Sequence, residues 1–249
     1  MHPYVALSPF RIRTLAFAAV IAVAAPVHAA AVAADAPPAS TSGRVSPVQA
    51  SRIIVSTSER RLYLVQGRDT VFSAPVAIGM GQDFEFNGRK YHFSTPTGRR
   101  RVIAKSPDPI WTPPDWHYYE KAARRGLEAV HMTENMRVQL SDGTFLVVKD
   151  GEVGRINRFG YFAPFVPGNE IIFDGRIYIP PFSTPQRRVP DALGPFKLDM
   201  GDGYLIHGTH VYNEESIGQA VSHGCVRMNN DDLTRLYEMV PVGTVVDIV

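Results

Sequence analysis

The chain is predicted to be mainly β, a sandwich or barrel-like core with a C-terminal helix and an inserted segment of mixed structure. Three observations predict this. Short β-prone runs recur from Arg52 onward with Gly and Pro between them. Three Asp-Gly pairs, the strongest short-range hairpin signal, separate further β-prone runs in the middle of the chain. Near the C-terminus, helical spacing of apolar residues is followed by a last β-prone stretch. A chain of 249 residues can bury one substantial core, or one core with a small appendage.

In order, Arg52-Ile53-Ile54-Val55 and Arg61-Leu62-Tyr63-Leu64-Val65 read as two strands, with Ser58-Glu59-Arg60 as the turn between them. Gln66-Gly67-Arg68-Asp69 closes the second, and Val71 to Ile78 forms a third. Gln82 to Phe93 reads as an insertion before a Thr-Pro turn. The inserted segment runs over 116–189. It opens with a short helix expected over Tyr118 to Ala129 and contains the hairpins at Asp142-Gly143, Asp150-Gly151 and Asp174-Gly175. The run from Phe159 to Phe165 is aromatic and reads as a satellite core rather than a substrate platform, because aromatic side chains pack more often than they bind. Trp111, beside Pro113 and Pro114, reads in the same way. Asn230 is the expected cap of a helix carrying Leu233, Leu236, Tyr237 and Val240; Pro241 and Gly243 end it, and Thr244 to Val249 is the final strand.

The N-terminus reads as a secretory signal over 1–29. Arg11 and Arg13 supply the charged region, Thr14 to Val27 the apolar one, and Val27-His28-Ala29 the small-residue cleavage motif. The apolar run is short for a transmembrane helix, which needs about 20 residues. The Ala/Pro/Ser-rich stretch 30–50 reads as a disordered linker, so the folded domain is expected over 51–249 in a periplasmic or secreted protein. Without Arg11 and Arg13 the chain carries 24 basic and 24 acidic residues, and nothing steers it toward nucleic acid.

Cys225 is the only cysteine, so no internal disulfide is available to it. It lies in Ser222-His223-Gly224-Cys225-Val226-Arg227, with His207-Gly208-Thr209-His210 upstream. A thiol attacks as thiolate and needs a lowered pKa or an adjacent base. In an extended segment His223, Cys225 and Arg227 would share a face, unless Gly224 breaks the alternation. A turn at Gly224 would present backbone N–H groups to an oxyanion. This local pattern leaves open whether His207 or His223 is the base. His210 reads as an exposed loop histidine.

Ile206-His207-Gly208-Thr209, Ser216-Ile217-Gly218 and Ser222-His223-Gly224-Cys225-Val226-Arg227-Met228 together resemble the signature of the L,D-transpeptidase catalytic domain, the YkuD-type family. Upstream, Ala74-Pro75-Val76-Ala77-Ile78-Gly79, Thr95-Pro96-Thr97-Gly98 and Leu193-Gly194-Pro195-Phe196 also resemble its elements, so the likeness covers residues 52–112 and 190–249. The resemblance implies an L,D-transpeptidase-like core with Cys225 as nucleophile and His207 as general base, its ring oriented by the Gly208 carbonyl. It implies an oxyanion hole of amides around His223, Gly224 and Cys225. Ser222, Arg227, His223, Gly208 and Thr209 would support the site or hold the donor peptide. The implied reaction takes peptidoglycan stem tetrapeptides, releases D-alanine and passes the acyl group from a Cys225 thioester to an amine, giving a 3→3 cross-link. Other acceptors are water (an L,D-carboxypeptidase), an envelope-protein lysine or a free D-amino acid. Carbapenem-type inhibitors would acylate the same thiol, and no metal or organic cofactor is called for.

Two rivals come from other classes. His207, His210, His223 and Cys225 are zinc-ligand types, although their spacing matches no standard zinc pattern. A non-catalytic wall-binding module predicts a missing motif residue, and none is missing.

Overall fold

Ile53, Val55, Leu62 and Leu64 are fully buried while Arg52, Ile54, Arg61 and Tyr63 between them are not. That period of two is what a strand shows with one face on a core. The structure, a computed structural model, describes residues 51–249. The signal-peptide and linker readings fall on residues 1–50, outside the described residues.

The chain begins as an antiparallel meander of β1 (Ser51–Ser56), β2 (Arg61–Gln66) and β3 (Asp69–Gly79). The stretch read as an insertion is a hairpin, β4 (Gln82–Phe86) and β5 (Arg89–Phe93). Its turn holds Asn87 and Gly88 at φ 49° and 75°, the paired left-handed conformation of a tight hairpin. Then come β6 (Gly98–Arg101), β7 (Ala104–Pro107) and α1 (Asp115–Arg125). The inserted region continues through β8 (Glu128–His131), β9 (Arg137–Gln139), β10 (Phe145–Lys149), β11 (Glu152–Ile156), β12 (Phe162–Pro164), β13 (Ile171–Phe173) and β14 (Arg176–Ile179). Last are β15 (Phe196–Asp199), β16 (Leu205–His207), β17 (Ala220–Ser222), β18 (Val226–Met228), α2 (Asn230–Met239) and β19 (Val245–Ile248).

One curled sheet carries the motifs, in the order β6-β19-β1-β2-β3-β18-β16-β15-β7, with β17 paired to the end of β3. The mainly β fold class is the one expected. Leu233, Leu236 and Val240 of α2 and its C-terminal end join Ile53, Leu62, Val76, Ile206, Val226 and Met228 in the main core. Burying each such side chain contributes about 1.5–3 kcal/mol.

The inserted strands form two small sheets, β12-β11-β10-β9 and β13-β14-β8, around cores of their own. Tyr119 and Ala122 of α1 share a cluster with Ile177 and Ile179 of β14 and with Phe84, Phe86 and Tyr91 of the β4–β5 hairpin. The two stretches that look like separate insertions in the sequence therefore pack as one body. Its two ends are tied together by Arg187, 1% exposed, which donates to Pro113 O (2.7 Å), Pro180 O (2.7 Å) and Asp115 Oδ1 (2.6 Å). The guanidinium lies over the rings of Tyr118 and Phe182.

Several details differ from the sequence reading. All three Asp-Gly pairs sit at hairpin turns between β9 and β10, β10 and β11, and β13 and β14. The short helix, however, starts at Asp115 and stops at Gly126, whose φ of 64° ends it, so Leu127 to Ala129 leave for β8. The cap of α2 is Asn229, whose side chain accepts from the Asp231 N–H; the Asn230 side chain instead bonds the Thr209 main chain. Phe159 and Tyr161 are 78% and 73% exposed and only Phe165 packs on the inserted core, so the aromatic run is not one satellite core. Among the described residues no helix is long and apolar enough to cross a membrane.

Candidate active site

β16 and β18 are parallel neighbours, with Ile206 opposite Val226 and His207 opposite Arg227. On the other side of β16, Lys197 and Leu198 of β15 face His207 and Ile206. Residues in register on neighbouring strands point to the same face, and successive residues alternate. Leu198, Ile206, Val226 and Met228 are thus fully buried on the core face. Lys197, His207, Cys225 and Arg227 fall on the other face and line one cleft of about 1140 Å³. The alternation that builds the core is also what gathers the motif residues.

The cysteine is half-buried and its thiol donates to the Gly203 carbonyl at 3.7 Å. Burial pushes its pKa above the usual thiol value; the Leu205 N–H and the Arg227 charge pull the other way, and Asp199 raises it further. His207 is buried, and its Nδ1 lies 2.6 Å from the Gly208 carbonyl. A carbonyl can only accept, so Nδ1 carries the proton and Nε2 of the neutral ring is a lone-pair base. Burial, and secondarily the positive charge of Arg227, lower the imidazole pKa to about 3, against a smaller opposing effect of the Gly208 hydrogen bond. Arg227 itself is lowered by burial. Both shifts favour the uncharged forms, a neutral thiol and a neutral imidazole.

The turn before Cys225 is held from three directions. Gly224 has φ 130°, and a Cβ there would lie 3.0 Å from Ser94 O and 3.1 Å from the Tyr204 ring, so glycine is required. Thr95 Oγ1, in the Thr-Pro turn, donates to Gly224 O (2.9 Å) and accepts the Gly79 N–H (2.8 Å). Ser222, fully buried, donates from Oγ to Cys225 O (2.6 Å) and accepts the Gly224 N–H (3.1 Å). Its hydroxyl ties the turn together instead of reaching into the cleft, and the Gly224 amide is occupied by that bond.

Behind His207, Asn230 accepts the Thr209 N–H and donates to Thr209 O, both at 2.9 Å. A Cβ on Gly208 would stand 2.3 Å from Asn230 Oδ1, and one on Gly194 2.4 Å. These two glycines are where the Leu193-Gly194 and His207-Gly208 segments close on that amide. Thr209 is itself buried.

His223 does not share the arrangement of His207. The break at Gly224 leaves its ring stacked on Trp116 (4.4 Å between centroids, 21°) and edge-on to Phe93 (4.5 Å, 74°), with Nε2 2.9 Å from Glu120 Oε2. Trp111 bridges Val189 through the backbone and also lines the cleft, as do His117 and His210. Burial lowers the His117 pKa to about 3. Sequence reasoning missed Glu120, Trp116, Thr95 and Asn230 as site residues. Only Thr95 carried a signal, its place in the Thr-Pro turn. No three His, Cys, Asp or Glu side chains converge as metal ligands among the described residues.

Residues 50–248 match the family model of the YkuD L,D-transpeptidase catalytic domain. The chain belongs to that family. Among its curated relatives it is 50% identical over 56 residues to the probable L,D-transpeptidase YbiS of Escherichia coli strain K12, a stretch covering 22% of this chain and 18% of that one. It is 48% identical over 65 residues to the putative L,D-transpeptidase YkuD of Bacillus licheniformis, covering 24% and 38%. The chain thus spans well under half the length of these relatives. Similar solved structures include an L,D-transpeptidase from Mycobacterium smegmatis (14% identity, TM-score 0.40, 80% of this chain and 58% of that one). Another is L,D-transpeptidase 3 from Mycobacterium tuberculosis in complex with a faropenem-derived adduct (14%, TM-score 0.40, 80% and 60%).

Proposed function

We propose that the protein is a cysteine-dependent L,D-transpeptidase acting on peptidoglycan stem tetrapeptides. The observation that carries this reading is His207, buried in the cleft of Cys225 with Nδ1–H fixed on the Gly208 carbonyl and Nε2 left as a base. Family membership supports the acyl-transfer chemistry and the peptide substrate.

In the first half-reaction Cys225 Sγ attacks the carbonyl carbon at the L-centre of the third stem residue, and its proton passes to His207 Nε2. The oxyanion accepts hydrogen bonds from the amides of His223 and Cys225, the Gly224 amide being held by Ser222. Collapse breaks the peptide bond, and the imidazolium returns its proton to the departing D-alanine amine. A thioester on Cys225 remains. In the second half an acceptor amine attacks that carbonyl, His207 removes its proton, and Sγ leaves as a thiolate that His207 reprotonates. Proton transfer accompanies attack, because burial disfavours the separate thiolate–imidazolium pair. Arg227 favours developing negative charge on sulfur and disfavours an early imidazolium. A carbapenem would stop at the acyl stage on the same thiol. The export of the chain by its N-terminal signal, and its work in the periplasm or outside the cell, belong to the same proposal.

Incubation with a disaccharide tetrapeptide tests the reading, with products separated and weighed by mass spectrometry. Release of D-alanine together with a 3→3 cross-linked dimer is expected. Tripeptide alone would make water the acceptor. An unchanged tetrapeptide would contradict the substrate assignment.

A further inference from the structure

The cleft wall opposite the sheet is made of the β4–β5 hairpin and α1, and three of its side chains converge on His223. Trp116 stacks on the imidazole face, Phe93 meets it edge-on, and Glu120 Oε2 lies 2.9 Å from Nε2. Phe93 and Trp116 also touch each other, with centroids 5.1 Å apart. An ionised carboxylate only accepts, so Nε2 carries the proton and donates to it. The other carboxylate oxygen takes Arg124 Nη2 at 2.7 Å, one helical turn on, which fixes the Glu120 rotamer. Both partners are largely shielded, with side-chain exposures of 21% for His223 and 15% for Glu120. A charge-assisted hydrogen bond in such surroundings is stronger than one in water.

His223 is the residue before Gly224, and the Gly224 carbonyl and amide are in turn held by Thr95 and Ser222. Main-chain position at His223 therefore passes directly to the turn that presents Cys225. Thr95 and Ser222 hold that turn from within or beside the large sheet; a further restraint comes from the opposite wall, at Glu120. We propose that Glu120, with Trp116 stacked behind the ring, is a positioning residue that holds His223 by Nε2 and so fixes the nucleophile turn. The inserted body is then a required wall of the acyl-transfer site, not an appended lid. This rests on the reading of Cys225 as the nucleophile. The charged and titratable groups around the ring are Glu120, Arg124 and His117 of α1 and Arg227 of β18; burial, Arg227 and Arg124 disfavour the imidazolium, and Glu120 favours it. The net lowering favours the neutral ring, with Nε2–H toward Glu120.

The test compares the folded wild-type chain with Glu120→Ala and Glu120→Gln, the second of which keeps an acceptor oxygen. Two readouts are taken: the rate of Cys225 acylation by a carbapenem from intact mass, and the His223 ring-nitrogen resonances, assigned by their loss in His223→Gln. Glu120→Ala should slow acylation about tenfold through misplacement of the nucleophile and abolish the protected Nε2–H resonance. Glu120→Gln should restore both to near wild type. Wild-type acylation in Glu120→Ala, or equal losses in both variants with the ring resonance unmoved, would overturn the proposal. If the wild type itself is not acylated, the nucleophile reading fails separately. The clamp is then judged by the ring resonance and by the rate of Cys225 alkylation with iodoacetamide. Either changing in Glu120→Ala and returning in Glu120→Gln sustains it, and both unchanged overturns it.

Discussion

Along β15, β16 and β18, Lys197, His207 and Arg227 are placed by main-chain pairing, whereas across the cleft Trp116, Phe93 and Glu120 reach His223 through side chains alone. The first arrangement is over-determined. Moving His207 would mean breaking the ladder between strands whose other faces are sealed into the main core. The second depends on one body of inserted hairpin, helix and small sheets staying where its own cores and Arg187 put it. The difference separates two jobs. In the proposed reaction proton transfer needs a base in one fixed place, which His207 on the sheet would supply, while the wall facing it would hold His223 beside the nucleophile turn.

The comparison can be broken at either wall. The largest effect is expected on the sheet side. His207→Ala should reduce acylation of Cys225 by about 10³-fold, within the range for loss of a general base, while the melting temperature stays near wild type. A loss of only a few fold would move the base to the other wall. A smaller effect, read in stability, is expected from Arg187→Ala. It leaves Asp115 and the carbonyls of Pro113 and Pro180 without their buried partner, at a cost of about 3 kcal/mol. Hydrogen exchange should then speed up in α1, β8 and β14 and remain slow in β1, β2 and β3. A uniform change across both regions would mean that the walls are not separately stabilised.

What the sequence made legible follows the same division. Ile53, Val55, Leu62 and Leu64 announce their strands by alternation, and the Asp-Gly pairs announce three hairpins because few residues other than Gly, Asn and Asp tolerate a left-handed turn. The cysteine and histidine motifs are short in sequence and lie on paired strands, so their gathering could be read from local pattern and family likeness. Glu120 could not be found in this way. Its partner is 103 residues distant, and a glutamate next to lysine and arginine on a helix looks like a solvated face. Trp111 looked like a packing residue and is also a cleft residue, since one indole can do both. The choice between Asn229 and Asn230 as helix cap turned on tertiary contact: Thr209 and the close glycines at 194 and 208 engage Asn230 and leave Asn229 for the helix.

The central claim is a neutral Cys225–His207 pair in which proton transfer accompanies attack. Its most direct test is the rate of carbapenem adduct formation, followed by intact mass across pH 5 to 9 on the wild type and on Cys225→Ala. The base must be unprotonated to act. With its pKa lowered to about 3 it stays so throughout this range, and burial, by raising the thiol pKa, disfavours the free thiolate. The account predicts an adduct on the wild type alone, at a rate that holds down to about pH 5 without the fall near 6.5 expected of an ordinary histidine. An adduct on Cys225→Ala, or a wild-type rate that halves near pH 6.5, would contradict it.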